Sequence, residues 1–358
     1  MRSTTRTGLA MSAALLGLCL TAPAQAQVDT KKLAAVPGAR AVTVDRIKVR
    51  SAAIAGNLAG ESVDRDVLVV LPPGYAANPA RRYRVLYALH GYSIGAEQWT
   101  KEIQVPQAIE GAFAKGAGEM IVVFPDSKTV HNGSMYSSSL TTGDFEAFIA
   151  RDLVAYVDAN YRTIADRRSR GLAGHSMGGY GTTRIGFKHP DVFGALYMMS
   201  PCCLSPRNAA TIDPAAMAAL ENVKTPADSA KLPFMLRAQL ASAAAWSPNP
   251  TRAPLYLDLP VKDGKVQPDV LARWAANAPL AMLDQYVGNL RRYAAIAIDV
   301  GDRDGLKDDA AKLHAALDRY GIANSFQIYS GDHVSHVAER FQDHVMPFFS
   351  KHLTETQP

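Results

Sequence analysis

The sequence predicts an α/β fold on a mostly parallel central sheet, and three observations predict it. Short continuous apolar runs recur along the chain, bounded by Gly, Pro or Asp, as strands buried on both faces require. Stretches of helical periodicity lie between them. The two kinds alternate, and repeated strand–helix–strand order implies a doubly wound sheet with helices on both faces. With 358 residues, 48% of them hydrophobic and 20% charged, the chain is long and apolar enough to bury a sizeable core.

The elements follow in order. Residues 42–49 and 63–71 alternate apolar and polar in part, and the second run stops at Pro72-Pro73-Gly74, so both are expected as antiparallel strands at one edge. Buried strands are expected at 85–89, 120–124, 171–173, 195–199, 294–300 and 326–329. Phe145, Phe148, Ile149, Leu153, Tyr156 and Val157 share one helical stripe, with Gly143-Asp144 as its cap. Residues 178–188 form a small-residue helix stopped by Pro190. Two more helices are expected at 306–320 and 334–353, the last broken at Pro347. Residues 204–289 interrupt the rhythm. They are rich in Ala, Pro and polar residues, with helical pieces at 214–221 and 270–274 and one strand candidate, 255–259, closed off by Pro254 and Pro260. This stretch is expected to be a cap-like insertion over the carboxyl ends of the sheet.

The formal charge of +5 is spread along the chain and leaves no nucleic-acid footprint. Residues 1–26 carry Arg2 and Arg6, then an apolar run, then Ala22-Pro23-Ala24-Gln25-Ala26. That pattern predicts a secretory signal cut after Ala26, and the run is too short to span a bilayer. Residues 27–358 are then one exported domain, periplasmic or secreted, with no stable membrane insertion. Cys19 falls in the signal. Cys202 and Cys203 are adjacent, where a mutual disulfide would be strained, and read as small apolar residues just past a strand end. No C-x-x-C spacing suggests structural zinc, and neither a metal nor a cofactor is called for.

Gly174-His175-Ser176-Met177-Gly178 is G-x-S-x-G, placed after an apolar run and at the opening of a helix. A strand turning sharply into a helix holds a serine in a strained position with its hydroxyl exposed, which makes Ser176 the candidate nucleophile. A serine needs a base, and the base an orienting carboxylate, expected later in the chain in the order acid, then His. The loop Gly301-Asp302-Arg303-Asp304-Gly305 offers Asp302 and Asp304. The Gly-x-x-Asp spacing favours Asp304, while Asp299 still lies on the strand. Past the last strand, Ser330-Gly331-Asp332-His333 supplies His333, with His336 as its rival. An oxyanion needs two backbone N–H donors: Met177 follows the nucleophile, and Tyr92 follows the strand at 85–89 through His90-Gly91. Trp99, Met135 and Tyr136 lie in loops expected near the strands' carboxyl ends and are candidates for the substrate pocket.

Leu89-His90-Gly91, the block from Tyr161-Arg162-Thr163 through Gly178-Gly179-Tyr180-Gly181, His189-Pro190-Asp191-Val192-Phe193-Gly194, and Gly331-Asp332-His333 together resemble the esterase D-type branch of the α/β-hydrolases. That branch is similar across feruloyl and acetyl-xylan esterases, S-formylglutathione hydrolases and mycolyltransferases. The resemblance implies an α/β-hydrolase fold, a triad of Ser176, Asp304 and His333, and oxyanion donors at Tyr92 and Met177. The expected activity is that of an exported serine carboxylesterase acting on a small-molecule or glycan-linked ester. Acyl transfer to an alcohol would use the same groups, and a non-catalytic hydrolase-fold binding module is the reading from another class.

Overall fold

The structure, a computed structural model, describes residues 29–355. The expected signal segment, 1–26, lies outside the described residues. Eight strands form the central sheet, numbered here in chain order: β1 (Thr43–Arg50), β2 (Asp64–Leu71), β3 (Val85–Leu89), β4 (Ile121–Pro125), β5 (Arg170–His175), β6 (Ala195–Met199), β7 (Ala295–Gly301) and β8 (Ser325–Tyr329). Their spatial order is β1-β2-β4-β3-β5-β6-β7-β8. Strand β2 alone runs against the others, since it pairs antiparallel with both β1 and β4 while every remaining pair is parallel. The two edge strands expected as an antiparallel pair are β1 and β2.

Period-two geometry explains why the central strands read as unbroken apolar runs. Val85, Tyr87 and Leu89 of β3 face one core and Leu86 and Ala88 the other; Val123 of β4 faces the first core, Val122 and Phe124 the second. The helices Met177–Lys188 and Lys307–Arg319 and the stretch 145–160 close the first core. The helices Ala96–Glu102 and Gln107–Ala114 and the C-terminal stretch 337–352 close the second.

The C-terminal helix differs from expectation at Pro347. The helix is not broken there: helical dihedrals run on through Arg340, Val345 and Met346, and a wide π-type turn over Phe341–Val345 directly precedes Pro347. Between β6 and β7, helices form at Pro214–Glu221, Phe234–Trp246 and Pro268–Ala275. Residues 255–259 do not form the expected strand. The short hairpin lies just beyond, Val261–Lys262 against Lys265–Val266, around Asp263-Gly264 with φ of 50° and 68°. Among the described residues no helix is long and apolar enough to cross a membrane.

Trp99 packs edge-on against Phe124 and Phe341, with ring centroids 5.7 and 6.3 Å away, and is wholly buried in the second core. Trp99→Ala is therefore expected to lower unfolding free energy by about 3–5 kcal/mol, measured by urea titration, through loss of apolar burial and a residual cavity. A change below about 1 kcal/mol would contradict a core role for this side chain.

Candidate active site

Strand β3 pairs with β5 so that Leu89 lies opposite Gly174, which brings the loop after β3 beside the turn after β5. That turn holds Ser176 at φ 59° and ψ −114°, outside the regions open to most residues, and the helix Met177–Lys188 starts immediately after it. Glycine is required on both sides by close approach. A β-carbon on Gly174 would lie 2.2 Å from the Gly178 oxygen, and one on Gly178 would lie 2.0 Å from the Leu89 oxygen. The Ser176 amide donates to Met199 of β6 at 3.0 Å, and the Ser176 carbonyl accepts from the Cys202 amide at 3.2 Å. Both bonds tie the turn to β6 and the segment that directly follows it.

His333 and Asp304 reach this turn from the ends of β8 and β7. The Asp304 carboxylate can only accept, so the His333 contact at 2.8 Å is Nδ1–H donating to Asp304 Oδ2. That leaves His333 Nε2 to accept from the Ser176 hydroxyl at 3.0 Å. Burial works to raise the Asp304 carboxyl, but hydrogen bonds from His333 and the Leu306 amide, with the attraction of His333, outweigh it and hold it below the usual carboxylate value. Asp302, the other carboxylate in the loop, does a different job: its Oδ1 accepts from the Gly331 amide at 2.9 Å and stitches the Asp304 loop to the His333 loop. His336 turns away, to Ser335 and the edge of Tyr329.

The loop after β3 is fixed by His90. Its Nδ1–H donates to the Gly91 carbonyl at 2.8 Å, and its Nε2 accepts from the Ser127 amide at 2.8 Å, which assigns a neutral ring. The Tyr92 amide N–H follows and has no acceptor among the described residues. The Met177 N–H opens its helix, one of the first-turn amides that a helix leaves without an internal partner.

Beside Ser176 lies a cavity of about 340 Å³ walled by Tyr92, Met135, Phe234, Met235 and Leu306, with Cys202, Cys203 and Arg207 also facing it. Cys202 and Cys203 are both thiols, with Sγ atoms 2.9 Å apart. Another cavity, of about 470 Å³, lies within the 204–289 stretch around Glu221, Arg252 and Arg273 and touches none of these groups.

Residues 62–358 match the family model of the Esterase family. The chain belongs to that family. Among curated relatives of this Esterase-family chain, it is 29% identical over 136 residues to an endo-1,4-beta-xylanase/feruloyl esterase of Xylanibacter ruminicola, covering 37% of this chain and 19% of that protein. It is 32% identical over 133 residues to an esterase of Mycobacterium tuberculosis, covering 36% of this chain and 27% of that one. The matched part therefore spans about a fifth to a quarter of those relatives' length. Among solved structures, a ferulic acid esterase superposes with a TM-score of 0.63 at 22% identity, over 87% of this chain and 99% of that one. An S-formylglutathione hydrolase of Staphylococcus aureus gives 0.56 at 15%, over 87% and 98%. Likenesses this distant show the fold, which is the α/β-hydrolase fold.

Two pocket expectations need correction. Trp99 sits in the core on the opposite face of the sheet, as described above, and does not line the cavity. Tyr136 is also wholly buried: its hydroxyl donates to the His90 carbonyl at 3.0 Å and its ring lies over Gly181, so it braces the loop rather than the cavity. Met135 does face the cavity. Sequence reasoning missed Phe234, Met235 and Arg207, since nothing in an irregular stretch says which of its side chains turn toward a distant serine. It also missed His175, whose Nε2–H donates to the His333 carbonyl at 2.8 Å and whose ring lies 4.8 Å from that of His333.

Burial, and then the nearby His333, lower the His175 pKa to about 3, so the ring is neutral when folded. Unfolded, it titrates near 6.5, so below that pH the unfolded chain binds the extra proton and stability falls as pH falls, by up to about 1.4 kcal/mol per pH unit from this group. His131, lowered by burial to about 4, adds in the same direction. Unfolding free energy measured from pH 7 to 5 is expected to decline in wild type and to lose about one proton's slope in His175→Gln. An unchanged slope would contradict the neutral buried ring.

Proposed function

We propose that the protein is an exported serine carboxylesterase that hydrolyses carboxylic esters through an acyl-enzyme. The observation that carries this reading is the polarity of His333, with Nδ1 on Asp304 at 2.8 Å and Nε2 on the Ser176 hydroxyl at 3.0 Å. His333 takes the Ser176 proton as the oxygen attacks the ester carbonyl, and Asp304 steadies the imidazolium that forms. The Tyr92 and Met177 amides face the developing oxyanion. His333 then protonates the leaving alcohol, and water enters by the reverse roles to release the acid and free Ser176.

Family membership supports ester cleavage, and the feruloyl esterase among the relatives supports an aromatic or glycan-linked ester. The edge-to-face pair Tyr92–Phe234, centroids 5.4 Å apart at the cavity wall, suits a flat acyl group. The 204–289 stretch is the cap that shapes this pocket, and the N-terminal pattern supports export. Transfer to an alcohol would use the same groups, and no observation favours it over water.

Hydrolysis of short p-nitrophenyl esters and methyl ferulate tests the reading. Ser176→Ala is expected to lower kcat by about 10⁴-fold or more. Asp304→Asn is expected to lower it by about 10⁴-fold near neutral pH, because an amide no longer selects the tautomer with Nε2 free. Turnover unchanged in folded Ser176→Ala would remove the proposal.

A further inference from the structure

We infer that Arg207 forms an anion subsite in the Ser176 cavity, so that the preferred esters carry a carboxylate close to the scissile bond. The inference deepens the esterase reading and rests on it. It starts from the cavity's charges. The walls are mostly apolar, and of the charged carboxylate and guanidinium groups facing them Asp304 is already matched by His333. Arg207 is the other, and it has no ion-pair partner among the described residues. Its guanidinium is held by the Gln239 side-chain oxygen and the face of Trp274, 5.4 Å from its centre, and it also hydrogen-bonds the Cys203 sulfur. None of these partners is a carboxylate.

Asp309, the acidic group that acts on the neighbouring Cys203, is taken elsewhere. It accepts from the Ser205 hydroxyl at 2.7 Å, the Ser205 amide at 3.2 Å and Lys312 at 2.9 Å. A second guanidinium reinforces the field. Arg237 lies on the helix Phe234–Trp246 between the cavity residues Met235 and Ala238, its Nε is buried without a hydrogen-bond partner, and its charge acts on the Tyr92 phenol. Arg207 is partly buried beside apolar walls, and no carboxylate of the described residues pairs with it. A substrate carboxylate supplies the missing partner through charge-assisted, fork-shaped hydrogen bonds, for which a guanidinium already held in place is suited.

Two pairs of probes locate the charge on either side of the ester: phenyl butyrate against monophenyl succinate for the acyl side, and phenyl acetate against 4-acetoxybenzoate for the alcohol side. Wild type is expected to favour the anionic member of at least one pair by about tenfold or more in kcat/KM, chiefly through KM. Arg207→Gln brings that ratio to within about twofold of one, and Arg207→Lys, which keeps the charge without the fork, retains part of it. Thermal midpoints of both variants check that they fold. No preference in either pair, or one that survives in folded Arg207→Gln, overturns the subsite.

Calorimetric binding of the same four esters to Ser176→Ala separates this inference from the esterase reading. A binding preference for the anionic probe with no turnover by wild type sinks the esterase reading and sustains the subsite. Turnover with equal binding does the reverse.

Discussion

The helix that follows Ser176 approaches β3 so closely that no side chain fits between the Gly178 α-carbon and the Leu89 carbonyl, and the geometry of the site depends on that contact. The approach forces the tight reversal at Ser176 and so its unusual dihedral angles. The loop after β3 lies beside the serine, where a β-carbon on Gly91 would be in ordinary contact, 3.6 Å from that of Ser176. One absent substituent thus positions two backbone N–H groups and one hydroxyl. The rest of the sheet serves to hold that arrangement rigid.

Electrostatics then sorts residues that look alike. Three aspartates stand within six residues at the end of β7, and their surroundings give them three roles. Asp299 is buried against Arg340 and the Tyr197 hydroxyl and belongs to the second core. Asp302 binds backbone, and Asp304 alone reaches the imidazole. The histidines divide in the same way: His90 and His175 are neutral braces on either side of the site, while His333 keeps one nitrogen free for a proton.

The sheet was legible in the sequence because its signals are local. Runs such as Val85–Leu89 and Ala195–Met199 are recognisable without knowing their neighbours, and G-x-S-x-G reports a backbone constraint enforced within five residues. Ser176, Asp304 and His333, which the structure brings together, were legible because each follows a strand whose carboxyl end is identifiable. The cavity wall was not. Trp99 and Tyr136 follow the carboxyl ends of β3 and β4, yet which face of the sheet such a residue enters is decided by packing. The hairpin at Asp263-Gly264 was missed for another reason. Its two-residue strands carry too little alternation to register, and the turn itself was the stronger sign.

The site draws on pieces far apart along the chain: His333 meets a serine 157 positions earlier and a carboxylate 29 positions earlier. A chain whose sheet ends at β6 has β3, β5 and β6 around the serine turn, but it lacks both Asp304 and His333. Both arrive only with β7 and the edge strand β8, after the insertion whose Phe234 and Met235 wall the cavity. Contacts this distant in sequence carry a larger loop-closure cost than local ones. The contacts of Ser176 with His333 and of His333 with Asp304 therefore depend on the last two strands of the sheet, and a chain without them has the serine turn alone.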